Sequence, residues 1–213
     1  MRRLYFLPFI AMLFIFAACN RGNEKADTDS QDSIAGIVLT TEEDIAGISE
    51  VITRFVRAYT SKDNEKVNRL IHPDLGLYVI YRPGVADNFV KTDSINFASP
   101  VPDYYPFPDL TNAYALTFEK LPVFSCDDFT WDKEGFICDT TLHPTQLTQI
   151  AIFENEFNEG TYSRKALETL ENNEKASFRV VVTAENPLIF HVQCYEGAWY
   201  VTVLDRAYGG CDA

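Results

Sequence analysis

Apolar residues return at steps of three and four from Ile45 through Ile48, Ile52, Phe55, Val56 and Tyr59. That spacing is one stripe of an amphipathic helix. Thr40-Thr41-Glu42-Glu43 ahead of it has the form of a capping box, with Thr40 capping and Glu43 reaching back. Asp63 can cap a second, shorter helix with Val67, Leu70 and Ile71 inward. It ends at His72, because Pro73 disfavours helix in the residue before it. Leu75 to Arg82 reads as a strand between Pro73 and Pro83-Gly84. Residues 99–108, Ser-Pro-Val-Pro-Asp-Tyr-Tyr-Pro-Phe-Pro, form a Pro-aromatic loop. We read it as a strap over one edge or mouth of a sheet, the alternative being a recognition surface.

Further along, Tyr114–Phe118 and Pro122–Phe124 have the character of short strands. Phe129–Trp131 and Phe136–Cys138 flank an Asp-Lys-Glu-Gly turn. Leu147, Ile150, Ala151 and Phe157 keep helical spacing within 144–158. Ser163 can cap another helix with Ala166, Leu167 and Leu170 inward. Three β-rich runs then follow, Phe178–Thr183, Leu188–Tyr195 and Trp199–Leu204, and the short Glu-Gly-Ala connection between the last two predicts a hairpin. Two helices, a mixed middle and a terminal meander predict an α+β fold with helices packed on one face of an antiparallel sheet.

The beginning of the chain follows another rule. Arg2-Arg3 precedes fifteen residues, Leu4 to Ala18, that are almost wholly apolar, and these end at Phe16-Ala17-Ala18-Cys19. This is the pattern of a secretory signal peptide, too short for a membrane span of ~20 residues. Small-small-Cys followed by a polar stretch resembles the lipobox of bacterial lipoproteins, in which the cysteine is acylated and becomes the first residue of the mature chain. The resemblance implies lipidation of Cys19, and a membrane reached through that lipid. Asn20 rather than Asp after the cysteine implies the outer membrane. Several acyl chains together give stable anchoring where one does not. Residues 20–33 carry no aromatic and no large aliphatic side chain, so they cannot offset the entropy of ordering. The expected organisation is a signal peptide at 1–18, lipidated Cys19 and flexible stalk at 19–36, and a single domain at 37–213.

Charge narrows the function classes. The chain carries 18 Lys and Arg against 31 Asp and Glu, a balance of −13. Removal of residues 1–18 takes away two arginines and no acid, which moves it to −15. Binding nucleic acid needs clustered Lys and Arg to neutralise phosphates, so a nucleic-acid partner is not expected. With Cys19 set aside, Cys126, Cys138, Cys194 and Cys211 remain, an even number in an exported chain, and two disulfides are expected. Three connectivities exist. Cys126–Cys138 with Cys194–Cys211 is favoured because both close short loops. A regular hairpin at Asp132–Gly135 would place Cys126 opposite Thr141, so the first bridge needs an irregular strand. No C-x-x-C or His pair points to a metal.

The two first helices, the Ser61-Lys62-Asp63-Asn64-Glu65-Lys66 break, the Leu70-Ile71-His72-Pro73 lead into a strand and the closing Trp199-Tyr-Val-Thr-Val-Leu-Asp205 strand resemble the NTF2-like superfamily of ketosteroid isomerase and SnoaL-type cyclases. The resemblance implies a curved antiparallel sheet with the N-terminal helices packed on its concave face, a cone, here enlarged by extra middle elements. It also implies a pocket for a small molecule. The titratable candidates for such a pocket are His72, Asp74, Asp103, Asp139, His143, His191 and Asp205. None stands in a catalytic motif, so no catalytic, cofactor-binding or metal-binding residue is assigned. Asp127 and Asp128, adjacent in sequence, point to opposite sides of a strand. The expected role is a non-catalytic domain binding a small apolar ligand or an envelope protein. The alternative is an NTF2-like lyase, isomerase or hydrolase.

Overall fold

The computed structural model describes residues 39, 41–111 and 113–207. The expected signal peptide, Cys19, the stalk, Thr40 and Cys211 lie outside the described residues.

The first helix, α1 (Glu42–Thr60), begins one residue later than the sequence pattern suggests. Thr41 is the cap: its hydroxyl accepts from the Asp44 amide, and the Asp44 carboxylate accepts from the Thr41 amide. Asp44 thus fills the role expected of Glu43. Asp63 caps α2 (Asn64–Asn68) as expected, accepting from the Lys66 amide. The chain then forms β1 (Leu77–Tyr81) and β2 (Asn88–Thr92), an antiparallel pair whose second strand the sequence reading left unassigned. The Pro-aromatic loop leads to β3 (Leu116–Phe118), β4 (Phe124–Ser125), β5 (Thr130–Trp131) and β6 (Phe136–Asp139). Two helices follow, α3 (Gln146–Phe157) and α4 (Arg164–Lys175), and then the meander β7 (Ser177–Val182), β8 (Leu188–Tyr195) and β9 (Ala198–Asp205). Glu196 and Gly197, both at positive φ, make the tight β8–β9 turn.

The fold is α+β with a large, mostly antiparallel sheet. Seven strands lie in the order β2-β1-β9-β8-β7-β6-β3, and β4 pairs with β5 apart from them. Three expectations need correction. The sheet stays open and does not curl into a cone. Helices cover both of its faces, α1 on one side and α3 with α4 on the other. The Asp132–Gly135 turn does not join a hairpin: β5 pairs back to β4, while β6 lies between β3 (parallel) and β7 (antiparallel). All four β6 side chains are buried, which only the interior of a two-faced sheet can accommodate. The connection also leaves β1 parallel to β9, with Tyr78 beside Val203.

One irregularity sets which way the end of β9 faces. Val192 lies opposite Val201, but His191 lies opposite Val203, so Thr202 is an extra residue on β9. This bulge reverses the alternation. Before it, Trp199 and Val201 face α1. After it, Leu204 does, while Val203 joins the core under α3 and α4.

The cysteines do not follow the favoured pairing. Cys138 is a thiol, so the Cys126–Cys138 bridge is not formed. Cys138 is fully buried opposite Val180, and Cys126 is exposed between β4 and β5. The register that puts β6 against β7 separates it from the ribbon holding Cys126. Burial, with Asp139 adding to it, pushes the Cys138 thiol up to about 12.

Candidate functional site

Beyond the bulge, Arg206 stands where β9 ends, and it organises the neighbouring surface. Its amide donates to the Ile80 carbonyl (2.8 Å), extending the β1–β9 pairing. Its guanidinium turns to the Pro-aromatic loop. Nη1 donates to the Val101 carbonyl (2.8 Å), and Nη2 to the carbonyls of Pro106 (2.8 Å) and Tyr105. The cation also lies over the rings of Tyr105 (4.6 Å) and Phe107 (4.3 Å). Carbonyl dipoles and ring faces take the place of a carboxylate here. The loop is therefore a strap, as expected, and Arg206 is the residue that fastens it. Just beyond the strap, Asp109 pairs with Lys62, in the turn that follows α1, at 2.5 Å.

Between strap and sheet lies a cleft of about 290 Å³, at the small end of ordinary ligand sites. Tyr105, Pro106 and Pro108 of the strap form one wall. Pro187 from the β7–β8 connection and Leu188 at the start of β8 form another, with Glu185 and Asn186 exposed at the rim. Tyr59, from the last turn of α1, closes the inner end. Its ring is wedged edge-on against Phe97 (5.4 Å) and Phe107 (6.1 Å). Its hydroxyl has no hydrogen-bond partner among the described residues. Burial, only partly countered by the Arg206 charge, pushes that phenol up to about 12. It is therefore a neutral donor throughout the physiological range, next to a guanidinium whose buried Nε–H also has no partner among the described residues. Such a cleft can hold a compact, largely apolar body and offer one hydroxyl donor and a positive field to an acceptor oxygen.

One sequence-derived candidate, Asp205, also lines this cleft, beside Arg206; the others lie elsewhere. His191 is completely buried on β8 and faces α3 and α4, with neither ring nitrogen hydrogen-bonded among the described residues. Burial and the Arg179 charge hold its pKa well below 6.5, so it is neutral. Asp205 is buried on the same face and accepts from Arg179 Nη2 (2.7 Å) and the Ala207 amide (3.1 Å). Burial raises its pKa despite Arg179. Asp139 is buried beside Arg179 in register and accepts from the Thr141 amide and hydroxyl. These groups converge inside the core, and only Asp205 among them also borders the cleft. His143 binds the Ser177 carbonyl through Nδ1 (3.0 Å) and stacks on Phe178. His72 sits between Tyr195 and Tyr200 and accepts from the Asp74 amide. Asp74, Asp103, Asp127 and Asp128 are exposed.

Sequence reasoning missed Arg206 and Tyr59 as site residues. Tyr59 is legible only as the last core position of α1. Arg206 follows an apparent strand end and has no local signal at all. Among the described residues, no group of three His, Cys, Asp or Glu side chains comes together as metal ligands would. Neither is any helix among them long and apolar enough to cross a membrane. Comparison with protein-family models, curated proteins and solved structures finds no match for this chain.

Proposed function

We propose that the protein is a lipid-anchored binding protein of the bacterial cell envelope, held at the outer membrane through Cys19, whose strap-covered cleft takes a small, mostly apolar ligand carrying a carbonyl or carboxylate oxygen. The observation that carries this reading is the uncommitted Tyr59 hydroxyl beside Arg206, at the inner end of a cleft walled by proline, leucine and tyrosine. Because Tyr59 lines the cleft, its hydroxyl can donate to an acceptor oxygen that enters there. The interior between α1 and the sheet is filled by Phe55, Phe178 and Phe190, which favours the edge cleft over a central pocket as the ligand site.

The test is a thermal-shift screen of small aromatic and aliphatic carboxylic acids and ketones, followed by calorimetric titration. Tyr59→Phe keeps the packing and removes one donor, so a true ligand binds it about fivefold to tenfold more weakly. Asn186→Trp at the rim obstructs the mouth and abolishes binding. Ligands indifferent to both changes count against the cleft. Mass spectrometry of the membrane-extracted protein tests the anchor separately, and an unmodified Cys19 refutes it.

A further inference from the structure

A second recess lies on the other side of α1, and its chemistry is opposite to the rest of the molecule. Five of the 18 Lys and Arg residues, Arg54, Arg57, Lys62, Lys66 and Arg69, fall within residues 54–69, where only Asp63 and Glu65 are acidic. That segment carries +3 in a chain of −13. Arg54 and Arg57 are three apart on α1, and Lys66 and Arg69 are three apart on α2 and its cap. Helical spacing puts each pair on one face, and the α1–α2 turn brings the two faces together. They line a groove of about 410 Å³ together with Ala58 and Ser61.

Two structural roles for these bases can be weighed. The C-terminus of α1 carries about half a negative charge, which one cation satisfies and four exceed. Local ion pairs engage three of them: Arg54 with Glu50 (3.0 Å), Lys66 with Asp63 (2.8 Å) and Arg69 with Glu65. Glu50 and Glu65 are mostly exposed, and exposed pairs of this kind contribute little, so a stronger anion displaces them readily. Arg57 has no ion pair among the described residues.

We infer that the α1–α2 groove is a binding site for a phosphate-type oxyanion, held by the forks of Arg54, Arg57 and Arg69 and by the Lys66 ammonium. Arginine forks match the paired oxygens of phosphate. The acidic remainder of the surface repels such an anion and confines it to this groove. The source is either a free phosphate compound or a phospholipid headgroup. The site is separate from the strap-covered cleft, and its test does not depend on that reading.

The full-length chain in neutral detergent micelles is titrated at low ionic strength with inorganic phosphate and, separately, with micelles containing phosphatidylglycerol. Saturable binding of either probe is expected, and the probe bound identifies the source. Arg57→Gln weakens it about tenfold, and Arg57→Gln with Arg69→Gln about a hundredfold. Arg164→Gln, on an exposed turn of α4, leaves it within twofold. Protection of Lys66 from acylation by bound anion gives a second reading on the unaltered protein. Lack of binding to both probes, equal loss in Arg164→Gln, or unprotected Lys66 overturns the proposal.

Discussion

On the face of the sheet turned to α1, Phe178, Val180 and Val182 of β7 lie beside Phe190 and Val192 of β8 and Val201 and Leu204 of β9, and Ile48, Ile52 and Phe55 of α1 pack over them. On the opposite face, the same strands present Arg179, His191, Gln193 and Asp205, all buried. Leu147, Ile150 and Leu170 of α3 and α4 supply an apolar cover there, but Glu174 is buried with them. Glu174 accepts from the amides of Leu147 (2.7 Å) and Thr148 (3.1 Å) and so caps α3 from α4, where Thr145 makes no capping bond of its own. One face is held by area removed from water, which tolerates small shifts. The other is held by directional bonds, each of which leaves a costly orphan when broken. The α1 face contributes bulk stability, whereas the α3–α4 face fixes how those helices seat.

The contrast is open to attack by mutation. The largest loss is expected on the apolar face. Phe190, whose ring lies 4.6 Å from that of Phe55, leaves a cavity when changed to alanine, and Phe190→Ala should cost about 4 kcal/mol in urea unfolding. On the polar face, Asp205→Ala removes the buried carboxylate that accepts from Arg179 Nη2 and should cost about 3 kcal/mol. Replacing both, Arg179→Met with Asp205→Leu, should restore most of that loss. If the double variant is as unstable as the single one, the polar face is not a matter of paired charges.

The smallest effect is a matter of pH. His191 stays neutral in the folded chain, while the unfolded chain takes up a proton below about 6.5. The unfolded state therefore binds more protons, and stability falls as pH drops through 6.5, by about 1 kcal/mol between pH 6.5 and 5.5 from this group. Asp205 and Glu174, whose pKa values are raised, act in the other direction and add stability as pH falls. They are common to the wild type and His191→Gln, so the difference between the two proteins isolates the histidine. Urea midpoints at pH 7.5, 6.5 and 5.5 should converge for wild type and variant as pH falls. Parallel curves would show that His191 already titrates normally in the fold.

Much of the local structure was legible in the chain. The α1 stripe, the Asp63 and Ser163 caps and the terminal meander follow from periodicity and capping chemistry, which act over three or four residues. Apart from Asp205, the candidate cleft was not legible. Tyr59, Tyr105 and Arg206 are 46 and 101 residues apart in succession, and no local pattern links them. Strand β2, Asn-Phe-Val-Lys-Thr, has no fully buried position, so its alternation was too weak to announce a strand. The charge balance hid the basic groove as well, because its residues are interspersed with apolar ones and meet only when two helices fold against each other.

By itself, the sequence determined the α1 stripe, the Asp63 and Ser163 caps, the terminal meander, the acidity of the whole, and the contrast between apolar residues 4–18 and polar residues 20–33. These depend on side-chain chemistry and short-range spacing. Only the tertiary structure decided that β1 runs parallel to β9, that the sheet stays open with helices on both faces, and that Thr202 bulges. That one extra residue turns Asp205 into the polar core beside Arg179 and leaves Arg206 to fasten the strap. The reason is physical: alternation along β9 continues through Val201 and Val203 without a break, and only the register imposed by β8 reveals where it reverses.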